Sequence, residues 1–160
     1  MISVVDQLSR RALGVDLGSV RIGIALCDSA GTVATPLQTL RRSGDEALDH
    51  QRLCALAVEE GAETVVFGMP RSLDGGQGAA AVLVAAEVER FRERLSAIRD
   101  AAELRVEVVD ERLSTVSAHR SLAAGGMNSR KRRDIVDQVA AAVFLQAWLD
   151  STAPRRGSNL

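Results

Sequence analysis

An α/β fold, with a mixed five-stranded sheet flanked by helices, is what this sequence predicts, and three observations carry the prediction. Residues 12–17 and 21–28 each alternate large apolar residues with small or polar ones across a gap of a few positions, the pattern of a β-hairpin. Thr64-Val65-Val66-Phe67-Gly68 is a continuous apolar run, the mark of a strand covered on both faces. From Asp45 onward, segments with apolar residues at helical spacing alternate with short strand-like runs, as parallel strands with helical crossovers require. Three hairpin-joined antiparallel strands are therefore expected first, then parallel strands and closing helices.

The elements follow in order. In Ala12 to Leu17, Leu13, Val15 and Leu17 share one face, while Asp16 lies on the other with Gly14. A tight turn at Gly18-Ser19 leads to a second strand, Arg21 to Asp28, with Ile22, Ile24 and Leu26 on one face. A third strand is expected over Thr32 to Leu40, demoted by Pro36 to an edge position or a bulge. A helix runs from near Asp45 through Leu48, Leu53, Leu56 and Ala57 to a stop at Gly61. The apolar strand at Thr64 follows, then a loop carrying Met69 to Gly76. A second helix has Val84, Val88, Phe91 and Leu95 on its core side, with Glu87, Glu89, Arg90, Arg92 and Glu93 on a polar face. Leu104 to Val109 is the fifth strand. Ser114 or Thr115 then caps a short helix ending at Gly125-Gly126, and Asp134 to Asp150 forms the last helix. A single domain over residues 11–150 results, with residues 1–10 and 151–160 as flexible termini.

The bulk composition narrows the function classes. The 160 residues suit one domain with a sizeable core. Aromatic residues are 2% of the chain, so the core must be aliphatic and base stacking on exposed aromatic platforms is not expected. With a formal net charge of −1, any hold on nucleic acid must come from local patches rather than a global basic field. Arg10-Arg11, Arg41-Arg42 and above all Arg130-Lys131-Arg132-Arg133 are the candidates. Cations at a helix N-terminus oppose its dipole, which favours a phosphate-facing role for the four-residue run over a merely solvated helix start. Cys27 and Cys54 have no CxxC spacing, and His50 and His119 stand apart in the sequence, so reduced thiols are expected and a His-based zinc site is not. The chain shows no signal peptide and no apolar run of about 18 residues, which points to a cytoplasmic protein without a membrane partner.

Three acids at the edges of strongly apolar segments are the sharpest functional signal: Asp16, Glu111 and Asp137. Carboxylates drawn together repel one another unless a metal ion, Arg or Lys compensates, and a shared divalent cation is the economical explanation. Each has other readings. Asp16, followed by Gly18, also suits a phosphate-loop turn of the actin type or an ordinary structural turn. Asp137 falls on the same helical stripe as Ala141, Phe144 and Trp148, where an acid is a ligand, a partner of an Arg, or a first-turn residue favoured by the dipole. Asp110 and Glu111 face opposite sides of a regular strand, so only one can point at Asp16, and the sequence leaves open which. Asp74 reads as a turn residue or a cap. Ser114, Ser117 and His119 show no nucleophile-elbow or triad arrangement.

Four blocks carry a resemblance to a known family. Gly14 to Ser19 with Arg21 to Ala25, Val66 to Pro70 with Asp74-Gly75, Asp110-Glu111-Arg112-Leu113-Ser114-Thr115, and Val136-Asp137 through Ala140-Ala141 with Leu145-Gln146 resemble, in this order, the YqgF/RuvX family over residues 11–150. The resemblance implies a ribonuclease-H-like fold. It also implies a nuclease linked to maturation of the 5′ end of pre-16S ribosomal RNA and, in some members, to Holliday-junction resolution. Carried over by motif, Asp16, Glu111 and Asp137 resemble the family's metal-binding acids. Met69-Pro70-Arg71 departs from the more common Leu-Pro followed by an uncharged residue, and Asp134 adds a second acid beside Asp137.

The expected chemistry is hydrolysis of a phosphodiester across one or two Mg²⁺ or Mn²⁺ ions held by Asp16, Glu111 and Asp137. Arg21, Arg71, Arg130, Lys131, Arg132 and Arg133 are the expected phosphate contacts. The partner is pre-rRNA or branched DNA, and the protein a monomer or a homodimer. A non-catalytic nucleic-acid-binding assembly factor and an actin-like ATPase are the alternatives.

Overall fold

A computed structural model describes residues 10–70, 78–101, 103–110 and 129–153. The strands are β1 (Ala12–Leu17), β2 (Arg21–Cys27), β3 (Ala34–Arg41), β4 (Thr64–Met69) and β5 (Arg105–Asp110). The helices are α1 (Glu46–Glu59), α2 (Ala79–Leu95) and α3 (Ser129–Thr152), with a 3-10 turn at Arg99–Ala101. The sheet order is β3-β2-β1-β4-β5. β1 pairs antiparallel with β2, and β2 with β3, whereas β1, β4 and β5 run parallel. This is the mixed sheet that the hairpin and crossover patterns predict.

Side-chain alternation splits the core in two. Leu13, Val15, Leu17, Ile22, Ile24, Val65 and Phe67 point to the layer formed by α1 and α2, where they meet Leu53, Val84, Val88 and Phe91. Phe67 and Phe91 pack edge to face at 5.1 Å, and each such buried ring contributes about 1.5–3 kcal/mol through the area removed from water. The other face is lined by small residues, Ala12, Ala25 and Cys27 with Val66, and is covered by Ala141, Phe144, Leu145 and Leu149 of α3. Small residues there let a helix backbone come close. A Cβ on Gly14 would lie 2.9 Å from the Leu145 Cβ, and one on Gly23 would lie 2.2 Å from the Asp137 carbonyl oxygen. α3 thus rests directly on β1 and β2.

The boundaries differ from expectation where local chemistry overrides periodicity. β3 starts at Ala34 rather than Thr32 because the Asp28 carboxylate accepts from the backbone N–H groups of Thr32 and Val33, at 2.7 and 3.0 Å, and turns the chain there. Pro36 sits on the edge strand, where the register shifts between Ile24 and Ala25, so it marks both an edge and a bulge. α1 begins after Asp45, whose side chain caps the N–H groups of Ala47 and Leu48. α3 begins at Ser129, five positions before the expected Asp134, because its first turn carries no apolar residue for periodicity to reveal. β5 is displaced by one residue and ends on Asp110. Glu87, expected on a polar face, is buried. The short helix expected between Ser114 and Gly126 lies outside the described residues. No helix among the described residues is long and apolar enough to cross a membrane.

Candidate metal and nucleic-acid site

Asp16 and Asp137 both neighbour Gly23. In the β1–β2 ladder Asp16 stands opposite Gly23, so the two share a face of the sheet. Asp137 lies directly over Gly23, with its carbonyl oxygen, carbonyl carbon and Cβ all within 2.8 Å of where a Gly23 Cβ would be. Both acids are therefore on the α3 side of the sheet, at the carboxyl end of β1. Asp16 also borders a cleft of about 650 Å³ that continues past Gly18, Ser19 and Pro70 to the start of α2. A smaller hollow of about 280 Å³ beside Arg10 and Trp148 lies at the other end of the strands, away from the acids.

Arg21 ties the site together. Its Nε donates to Asp137 Oδ2 at 3.0 Å and lies 3.5 Å from Asp134 Oδ1. Burial pushes the half-buried Asp137 carboxyl above its ordinary value, the Arg21 guanidinium pulls it back only in part, and Asp134 adds to the rise. A half-buried carboxylate with a second acid, Asp16, on the same face offers the hard oxygen donors that suit a divalent cation. The guanidinium of Arg21, an expected phosphate contact, is engaged with Asp137 and Asp134 in this structure. Asp134 is the outer partner of Arg21.

Met69 stands opposite Asp110 and packs toward the α1 and α2 layer, whereas Val109 packs toward α3. Asp110 is thus on the face away from Asp16. Glu111 and Arg71 lie outside the described residues. Lys131, Arg132 and Arg133 are exposed on the first turns of α3, one to two turns before Asp137, and Arg130 is in the same helix. Arg41 is exposed at the end of β3, while Arg42 is drawn inward.

Arg42 belongs to a second cluster that no sequence pattern reveals, because its members come from α1, α2 and the residue after β3. Arg42 donates to both Glu87 oxygens, at 2.7 and 2.9 Å, and His50 Nε2 meets Glu87 Oε1 at 3.0 Å. Arg94 approaches His50 Nδ1 at 2.8 Å; a guanidinium only donates, so Nδ1 accepts and Nε2 carries the proton given to Glu87. Arg90 and Arg94 donate to Glu46. Burial works against the Glu87 carboxylate, yet the bonds from His50 and Arg42 bring its pKa down to about 2. Hydrogen bonds from Arg90 first, and from Arg94, bring Glu46 to about 2 as well. Ligand atoms of Glu46, His50 and Glu87 lie within 4.8 Å of one another, a grouping that could hold a metal ion. Three guanidinium groups already neutralise it, so the cluster is an ion-pair network, buried at Glu87 and His50 and open to solvent at Arg90.

A family model described as RuvX: Holliday junction resolvase matches residues 10–151. The chain belongs to the RuvX family. Among RuvX relatives, a protein of Kineococcus radiotolerans named "Putative pre-16S rRNA nuclease" is 45% identical over 139 residues, covering 87% of this chain and 71% of the relative. One of the same name from Streptomyces coelicolor is 44% identical over 141 residues, covering 88% and 80%. Among solved structures, the yeast mitochondrial Holliday junction resolvase Ydc2 superposes with a TM-score of 0.53 at 11% identity, covering 89% of this chain and 78% of that one. T. thermophilus RuvC in complex with a Holliday junction substrate gives 0.51 at 13% identity, covering 89% and 94%. At these identities the likeness carries the ribonuclease-H-like fold alone, and it agrees with the order of the sheet.

Proposed function

We propose that this chain is a metal-dependent nuclease that hydrolyses phosphodiester bonds of structured nucleic acid, and that its task is processing of the 5′ end of pre-16S rRNA. The observation that carries the proposal is the seating of Asp137 over Gly23, the cross-strand neighbour of Asp16, in a member of the RuvX family. Asp16, Glu111 and Asp137 would hold Mg²⁺ or Mn²⁺, within a single nuclease domain over residues 11–150. The side-chain parity of β5 supports Glu111 over Asp110 as the third acid, since Val109 packs toward α3 and Asp110 does not. When bound, the ion lowers the pKa of the attacking water and offsets charge on the leaving oxygen.

The chain's own residues prepare that chemistry. Arg21 keeps Asp137 oriented and partly neutralised before a cation arrives. Arg130, Lys131, Arg132 and Arg133 place positive charge at the start of α3, where it opposes the helix dipole and draws a phosphate backbone toward Asp137. Arg71 is proposed to join them. Contacts of this kind position a strand without reading bases, so selectivity comes from substrate shape.

The family description favours a second reading, resolution of four-way DNA junctions. One panel separates the two: purified protein with Mg²⁺ or Mn²⁺ against a pre-16S leader RNA, a single strand and a four-way junction, beside Asp16→Asn. Cleavage of the leader, slowed about 10²–10³-fold in Asp16→Asn, is expected. Full metal-dependent cleavage by Asp16→Asn would remove Asp16 from the catalytic assignment, and binding without turnover on all three substrates would leave a non-catalytic assembly factor.

A further inference from the structure

We infer that Arg42 is a positioning residue for the acidic site, held in place by Glu87 and His50; this rests on the nuclease reading above and extends it to the hairpin behind Asp16. The β1–β2 connection is a two-residue loop, Ser19-Val20, closed by the Gly18 N–H donating to the Arg21 carbonyl at 2.9 Å. Two-residue hairpin loops whose twist matches their strands need a positive φ at one or both central positions. Neither Ser19 nor Val20 has one. Beyond that one backbone hydrogen bond, the loop takes its support from outside.

Arg42 supplies that support twice. Its backbone N–H donates to the Val20 carbonyl at 2.9 Å, and its Nε donates to the Gly18 carbonyl at 2.9 Å. Both halves of the site depend on this loop. Asp16, on β1, is two residues before Gly18, and Arg21, which holds Asp137, accepts the loop's closing hydrogen bond. A shift of the loop would move Asp16 and the partner of Asp137 together.

Glu87 then fixes Arg42. It clamps both guanidinium nitrogens while being itself 7% exposed, and it is braced by His50, which is 1% exposed and packs edge-on against Phe91 at 5.2 Å. A planar fork of five donors can grip a carbonyl and a carboxylate at once; a lysine ammonium cannot hold both in this geometry. A deep carboxylate is costly to desolvate unless it is fully paired, and here the pairing fixes a main-chain carbonyl at the end of β1.

The test uses the full chain as wild type, Arg42→Lys, Arg42→Ala, Glu87→Gln, the Arg42→Ala/Glu87→Gln double variant, and Asp16→Asn. Four quantities are read: kcat and KM for Mn²⁺-dependent cleavage, melting temperature, and amide hydrogen exchange by NMR. Arg42→Lys is expected to lower kcat about tenfold and Arg42→Ala up to about 10²-fold, with KM near wild type. The Gly18 amide is expected to exchange faster while residues 12–15 and 64–67 keep their protection. The double variant should be no slower than Arg42→Ala, because Glu87 acts through Arg42. Wild-type kcat in Arg42→Ala overturns the proposal, as does a fall in kcat matched by equal loosening of residues 12–15, which would mark a merely structural role. A wild type that does not cleave, or an Asp16→Asn as active as wild type, sinks the nuclease reading instead. Exchange at Gly18 still decides this one, since an unchanged rate in Arg42→Ala overturns it and a faster rate upholds it.

Discussion

Gly23→Ala puts the closest approach of the site under direct strain. The added Cβ would lie 2.2 Å from the Asp137 carbonyl oxygen, 2.3 Å from its carbonyl carbon and 2.8 Å from its Cβ. Non-bonded heavy atoms sit comfortably at about 3.5 Å, so α3 must back away from β2 by about 1 Å. The atoms in the way are main chain, and no side-chain rotation relieves them. Overpacking of this kind costs about 1–3 kcal/mol. For a domain of this length each kcal/mol lowers Tm by roughly 2–4 °C, so a fall of roughly 2–12 °C is expected. The same displacement separates Asp137 from Asp16, and a misplacement of about 1 Å costs on the order of 10²-fold in rate. Thermal unfolding followed by circular dichroism, and cleavage rates at a temperature where the variant is folded, measure the two effects. Gly61→Ala is the control. It has open space but a φ of +69°, so about 1–2 kcal/mol of stability should be lost with the rate unchanged. A Gly23→Ala protein that melts and cleaves like wild type would refute the close approach of α3 to β2 and the pairing of acids built on it.

Two further outcomes follow from the charges. The pKa values of Glu87 and Glu46 are brought from an ordinary 4.5 to about 2, so the folded state binds fewer protons than the unfolded state in that interval. Their stabilisation should be complete above pH 4.5 and fade as pH falls toward 2; urea midpoints across that range should show it, and Glu87→Gln should flatten the slope and cost about 3 kcal/mol at neutral pH by leaving Arg42 without its partner. Replacing Arg130, Lys131, Arg132 and Arg133 with Ala should weaken nucleic-acid binding and reduce the slope of log K against log salt by about 0.7–0.9 for each phosphate no longer neutralised; a slope equal to wild type would make those charges solvated surface only.

Much of this architecture is legible in the sequence because burial on one face imposes a period. Leu13, Val15 and Leu17 against Gly14 and Asp16 mark the two faces of β1, and Val84, Val88, Phe91 and Leu95, all buried, mark the core side of α2. The stripe of Asp137 with Ala141 and Phe144 correctly places an acid on the covered side of α3. Periodicity is silent where the interaction is long-range and polar. Glu87 reads as solvated because charged residues usually are, and His50 reads as isolated because its partners are 37 and 44 residues away. Arg42 and Arg21 read in sequence as phosphate-facing cations, yet in the structure one holds a hairpin and the other a carboxylate. The helical start at Ser129 escapes because a turn of Arg and Lys has helix propensity but no apolar face.

Titration of Mn²⁺ into the protein by isothermal calorimetry, repeated with Asp16→Asn and with Asp137→Asn, tests the central claim most directly. Two acids flanking Gly23 predict that wild type binds Mn²⁺ and that either substitution alone weakens the same site by about tenfold or more, since each replaces a charged carboxylate with a neutral amide. Wild-type affinity and stoichiometry in either variant would show that the two acids do not share an ion, and would contradict the account.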